Sequence, residues 1–250
     1  MSVLKKFVSQ TAIYGVSTVL SRLLGFILTP FYTNAFNKAT YGVLTVFFAY
    51  ASLINAFLAF GMESTFFRYL NKHEDKKQEV YNTSFLCITF IATLFLLTGF
   101  VFTDYIANYL AADPAQIGDY RLYVRYFLGI LYIDAICVIP FAKLRAEEKT
   151  FKYSLLKFLN IGAFVALNLS FILLIPAILK HDWPLASWFA SWYKVKWVGY
   201  VFVSNLAASC LTLLLLLPEF LQVQLKFDSK LFAKMFSYSW PVLVANLSFI

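Results

Sequence analysis

Charge is what this sequence has least of. Of its 250 residues only 14% are Asp, Glu, Lys or Arg, while 61% are hydrophobic, well above the apolar share of roughly one half in soluble domains. That balance excludes a water-soluble globular domain and leaves a polytopic membrane protein. Cysteine is also scarce. Cys87, Cys137 and Cys210 are odd in number, widely spaced and each set in an apolar stretch, so neither a disulfide framework nor a metal site is implied. Of the two histidines, His73 falls in a short charged loop and His181 at the start of a tryptophan-rich loop otherwise short of charge. No metal and no cofactor is expected. Acidic residues are outnumbered 13 to 21 by basic ones, for a net charge of +8, but the excess does not point to nucleic acid, because its placement follows a membrane rule. With the N-terminus assigned to the cytoplasm, fourteen basic residues, from Lys5 and Lys6 through Arg145 and Lys149 to Lys234, fall on the inner side. Only Lys38, Lys180, Lys194 and Lys196 fall outside, a strong positive-inside bias.

What is present in quantity is apolar and aromatic: 20% Phe, Tyr and Trp, suited to lipid-facing surfaces and interfacial belts. Hydrophobic runs at 11–36, 41–67, 81–103, 120–142, 154–179 and 200–221 are each long enough for a membrane helix, which needs about 20 residues to cross the hydrocarbon. The fold class is therefore all-α. A retained first span is expected, since two lysines precede a segment too long for a signal peptide and without a small-residue cleavage site. The basic stretch 222–236 reads as an amphipathic cytoplasmic linker. Residues 237–250 open a seventh span, so the chain reads as the N-terminal portion of a longer protein: a six-helix lobe over 1–221, the linker, and the start of a second lobe.

The first span carries Arg22 near its midpoint. A cation at the centre of a membrane helix costs about 2.5–3.5 kcal/mol on insertion scales, so it faces protein or water in place of lipid. At about 100° per residue, Thr11, Gly15, Thr18, Gly25, Thr29 and Thr33 fall within roughly 60° of it. This small, polar stripe can line a hydrated cavity, or it can pack on a neighbouring helix with Arg22 capping carbonyls or pairing with an internal acid. The second span adds Thr45, Ser52, Asn55 and Glu63 on one arc. In the fourth, Asp134 lies deep and its short stem cannot reach the interface, so it needs a cationic partner, a proton or water. Arg121 and Arg125, one turn apart at the outer edge, can snorkel to headgroups or bind substrate. In the fifth, Lys157, Asn160 and Asn168 could face the same cavity or hydrogen-bond between helices. The third span, without a charge, is expected to face lipid. Trp188 and Trp192 suggest a short helix anchored in the outer headgroup plane.

Order and spacing then resemble a known family. Ser21-Arg22-Leu23-Leu24-Gly25-Phe26 followed by Pro30, Tyr41-Gly42, and Gly61-Met62-Glu63-Ser64 with Arg68 are similar to the opening of bacterial polysaccharide-biosynthesis flippases. These are oligosaccharide-lipid exporters of the superfamily that also holds lipid II flippases and multidrug extruders. Pro140 with Leu144-Arg145-Ala146-Glu147 resembles the inner loop after that family's fourth helix, and Ser239-Trp240-Pro241 the start of its second lobe. The resemblance implies two six-helix lobes around a central cavity that rock between inward-open and outward-open states. It also implies a cargo, an oligosaccharide on a polyprenyl diphosphate carrier.

On that reading the protein is a transporter of the bacterial cytoplasmic membrane, with lipid-linked oligosaccharide, the bilayer, a proton or sodium ion and its own second lobe as partners. Arg22 is the candidate handle for the anionic headgroup, because guanidinium makes forked hydrogen bonds to phosphate. Thr18, Gly25, Thr29 and Asn55 are candidate partners for the cargo, and Asp134 is a coupling site or the counter-ion of Arg22. The alternative is an ion-coupled multidrug antiporter, which would prefer an acidic cavity. A membrane-embedded enzyme of the same pathway would need acid-base groups at a leaflet surface, and the outer acids and His181 form no arrangement that suggests one.

Overall fold

The structure, a computed structural model, describes residues 28–111, 113–181 and 183–248, and among them every regular element is helical. The first described helix, α1, covers 28–35. It is followed by α2 (Lys38–Ala59), α3 (Met62–Lys72), α4 (Lys77–Val101), α5 (Thr103–Leu110), α6 (Ile117–Ala146) and α7 (Thr150–Leu169). Beyond a π-helical segment, Ser170–Leu174, come α8 (Ile175–Lys180), α9 (Ala186–Ala190), α10 (Gly199–Leu215), α11 (Leu217–Phe220) and α12 (Ser229–Leu247). Among the described residues, four stretches are long and apolar enough to cross a bilayer, Lys38–Lys72, Glu74–Val101, Pro114–Ala146 and Thr150–Lys180, while Gly199–Leu215 is a shorter apolar helix. This is the architecture of a multi-pass membrane protein.

α6 is the axis of the bundle. It touches α2, α3, α4, α5, α7 and α10, and two thirds of its apolar stretch is buried, against about a fifth for the spans on either side of the α3–α4 turn. Its lack of an amphipathic stripe follows from that position, since a helix surrounded by others is apolar on all sides. Rings hold its outer half: Phe127 of α6 meets Phe47 of α2 edge-on at 5.2 Å, Phe47 meets Phe202 of α10 at 5.0 Å, and Tyr123 stacks on Phe202 at 5.3 Å. α4 divides its faces. Phe90, Leu94, Leu97 and Val101 form an exposed stripe at helical spacing, as expected for lipid, whereas Ser84, Cys87, Ile88, Ala92 and Gly99 are buried. At Gly99 the helices come so close that a Cβ would lie 2.4 Å from the Leu128 side chain of α6.

Two expected boundaries differ in the structure. The second span, 41–67, is expected as one helix, but the helix breaks at Phe60 and Gly61, both left-handed, with φ of 49° and 62°. Gly61 is where α12 crosses: a Cβ there would lie 2.8 Å from the Ser239 carbonyl oxygen. Glycine is the residue that can both adopt this backbone and admit another so closely. Within the stretch read as linker, 222–228 is non-helical and α12 begins at Ser229. Asp228 caps it, its carboxylate accepting from the amides of Lys230 at 2.9 Å and Leu231 at 3.0 Å, the hydrogen bonds that end a helix cleanly. The tryptophan-rich loop does form a short helix, α9, with Trp188 and Trp192 packed edge to face at 5.4 Å.

Candidate functional site

A polar cavity of about 340 Å³ lies among the helices of the bundle. Five helices build it. α2 contributes Asn55, α3 Glu63, α6 Asp134 and Phe141, α7 Tyr153, Lys157 and Asn160, and α10 Thr212. On α7, Tyr153, Lys157 and Asn160 recur at intervals of four and three, so they share one face. Ser209 and Thr212 of α10 do the same and face them.

Hydrogen bonds hold most of these groups in place. Ser209 donates to Asp134 Oδ1 at 2.8 Å, and Asn160 donates through Nδ2 to Thr212 Oγ1 at 2.9 Å. Thr212 in turn donates to the Ala208 carbonyl at 3.0 Å. The Lys157 ammonium lies 4.1 Å from the centroid of the Phe141 ring, a cation–π contact that suits a charge at the edge of an apolar wall. Glu63 is ion-paired with the guanidinium of Arg145, from the last turn of α6. Arg145 lies over two rings, Phe67 at 4.9 Å and Tyr153 at 5.8 Å.

The site is therefore two carboxylates and two cations at successive depths, Glu63 with Arg145 outermost, then Asp134 and Lys157 facing one another's space, with an amide and a hydroxyl between. Such a set can hydrogen-bond a hydroxyl-rich molecule and balance a charge. It does not present a nucleophile oriented by a base. Among the described residues no group of three or more His, Cys, Asp or Glu could hold a metal ion.

Of the residues singled out from sequence, Asn55 and Asp134 meet in this cavity. Thr29 does not join them. It lines a second cavity, of about 460 Å³, with Tyr32, Tyr41, Thr45 and Phe164. Arg22, Thr18 and Gly25 lie outside the described residues. The polar line on α7 splits by depth. Lys157 and Asn160 face the polar cavity, whereas buried Asn168 bridges helices, accepting from the Tyr32 hydroxyl at 2.9 Å and donating to the Phe164 carbonyl at 2.8 Å. Arg121 and Arg125 also part company, Arg121 being ion-paired to Asp104 at 2.5 Å and Arg125 exposed. Sequence reasoning missed that Glu63 and Arg145 pair, although both sit in the stretches that carry the family resemblance. They are 82 positions apart, and no periodicity links α3 to the end of α6.

A family model described as polysaccharide biosynthesis protein matches residues 7–249, nearly the whole chain. No curated protein and no solved structure matches it.

Proposed function

We propose, for a chain that belongs to the polysaccharide biosynthesis protein family, that it is part of a flippase moving a polyprenyl-diphosphate-linked oligosaccharide across the cytoplasmic membrane by alternating access of two helical lobes. The observation that carries this reading is the polar cavity itself. Carrying hydroxyls and a diphosphate through about 30 Å of hydrocarbon strips their water at a cost of several kcal/mol per group, so a carrier must offer a wet, hydrogen-bonding path while the lipid tail stays in the bilayer. Asn55, Asn160 and Thr212 supply such partners inside a helical bundle, and Lys157 and Arg145 supply positive charge. Arg22, flanked by Thr18, Gly25 and Thr29, is the further cation for the headgroup, with the N-terminus in the cytoplasm. Asp134 is its counter-ion or the site that couples transport to a proton or sodium gradient.

The test uses the full-length protein in vesicles loaded with a polyprenyl-diphosphate oligosaccharide. Wild type should move the saccharide to the far leaflet, and Arg22→Ala should abolish movement while membrane insertion is kept. Normal movement by the variant would remove Arg22 from the mechanism, and no movement by wild type would remove the cargo. The two carboxylates favour a second reading, a multidrug antiporter for cationic compounds. Efflux of a cationic dye from the same vesicles, without saccharide movement, would decide for it.

A further inference from the structure

We infer that Arg145 is an anion-reading residue at the mouth of the polar cavity, held in reserve by Glu63 and released when an anionic group on the cargo takes the place of the carboxylate. This rests on the transport reading above and adds the step by which cargo is admitted. Three observations converge on it.

First, Arg145 is built to keep its orientation. Its guanidinium lies 4.9 Å from the centroid of the Phe67 ring on α3 and 5.8 Å from that of Tyr153 on α7, and a planar guanidinium gains more from aromatic neighbours than a lysine ammonium does. Second, its hydrogen bonding is incomplete. One terminal nitrogen is paired with Glu63, but Nε is buried and has no hydrogen-bond partner among the described residues. A buried N–H without an acceptor costs about 1–3 kcal/mol. A phosphate group, with several oxygens, can engage two edges of a guanidinium in parallel and so complete the set. Third, both partners keep access to water, with about a third of the Arg145 side chain and two fifths of Glu63 exposed, so the pair is an exchangeable contact and not a sealed one.

The position of the pair makes the exchange consequential. Glu63 stands in the first turn of α3, two residues past the left-handed break at Gly61, and Arg145 in the last turn of α6. Their contact ties the kinked helix to the central one beside the cavity. Lys157 lies one helical turn beyond Tyr153 on the same face of α7 and lines the cavity, so an anion that has displaced Glu63 finds the next cation deeper in.

The test is isothermal titration of inorganic pyrophosphate into the full-length protein in nanodiscs of zwitterionic lipid at low ionic strength. The idea requires effects of opposite sign. Glu63→Gln, which frees Arg145, should bind pyrophosphate about tenfold tighter than wild type, and Arg145→Gln about tenfold weaker, the size of one charge-assisted hydrogen bond. Glu63→Gln/Arg145→Gln should behave like Arg145→Gln alone, and Arg145→Lys should fall between. If Glu63→Gln binds no tighter, or Arg145→Gln binds as wild type, the ion pair is structural and the inference is wrong. Should the Arg145 variants fail to fold, the Glu63→Gln arm decides alone. Vesicle transport separates this from the proposed function. Opposite signs without saccharide movement leave the anion site and remove the cargo. Movement without opposite signs does the reverse.

Discussion

The hydroxyls of Thr65 on α3 and Ser239 on α12 lie 2.6 Å apart, and Ser239 also approaches the sulfur of Met62 at 3.7 Å. This is the centre of a seam between the six-helix lobe expected from sequence and the helix that follows the linker. Tyr69 donates to the Lys234 carbonyl at 2.9 Å on one side of it, the Arg68 guanidinium lies 4.0 Å from the Tyr238 ring centroid, and Phe60 stacks on Phe236 at 5.1 Å on the other. Small residues let the two backbones meet, which in a membrane is the main source of helix affinity, because lipid is as apolar as the side chains.

The seam should depend on Gly61. An alanine there would carry a left-handed backbone, costing about 1–3 kcal/mol, and its Cβ would meet backbone atoms of α12 at 2.8 and 3.0 Å, which cannot rotate away. Gly61→Ala is expected to lower the midpoint of thermal unfolding in detergent and to weaken a disulfide cross-link engineered between α3 and α12. An unchanged midpoint with full cross-linking would show that the close approach is not required.

Glu219 is almost fully buried and is ion-paired at 2.7 Å with Lys152, which is 38% exposed. The two are not equivalent. Lys152→Met strands a buried carboxylate and should cost about 3–5 kcal/mol, whereas Glu219→Gln leaves a lysine that can turn to water and should cost about 1 kcal/mol. Denaturant unfolding of both variants checks the asymmetry; equal losses would contradict it.

Asp134→Asn retains an oxygen to accept from Ser209 and removes the charge facing Lys157. The variant is expected to fold and to lose the dependence of saccharide movement on a proton or sodium gradient. Transport in vesicles with and without each gradient measures it. A variant with the wild-type response would assign Asp134 to structure alone.

Asp228 carries a pH signature. The amide of Leu231, and after it that of Lys230, hydrogen-bond its carboxylate and hold it below the usual value of 3.8. A carboxyl depressed in the folded state stabilises fully above its ordinary value, and that contribution fades as pH falls through the lower, folded one. The first turn of α12 should therefore be protected from hydrogen exchange at pH 6 and lose protection only below about pH 4. Asp228→Asn, which caps without titrating, should remove the pH dependence; the same acid-induced loss in that variant would place its origin elsewhere.

Much of this was readable along the chain. Asp134 stands out because an aspartate in the middle of an apolar run demands a cation, a proton or water; the structure gives it a hydrogen bond from the Ser209 hydroxyl, with Lys157 lining the same cavity. Asn55 was found by the arc it shares with other polar residues of α2. The exposed apolar stripe of α4 agrees with its lack of charge. Lys157 was harder, since at helical spacing it aligns with Asn168 as well as with Asn160, and periodicity gives direction around an axis but not what stands opposite. The break at Phe60 and Gly61 falls where the sequence turns polar, at Glu63, Ser64 and Thr65, a change that reading 41–67 as one span passes over.

Membrane residence, helical class and the number of apolar runs were settled by local quantities: how many apolar residues follow one another, with what period, and where the cations fall between them. Those depend on neighbours within a turn or two of the chain, and a bilayer penalises any other answer heavily. Which polar groups share the cavity, that Arg145 reaches Glu63, and that α12 rests on Gly61 depend on contacts between helices far apart in sequence. Their register comes from how side chains of unequal size interlock once all the helices are together, so no single stretch of the chain contains it.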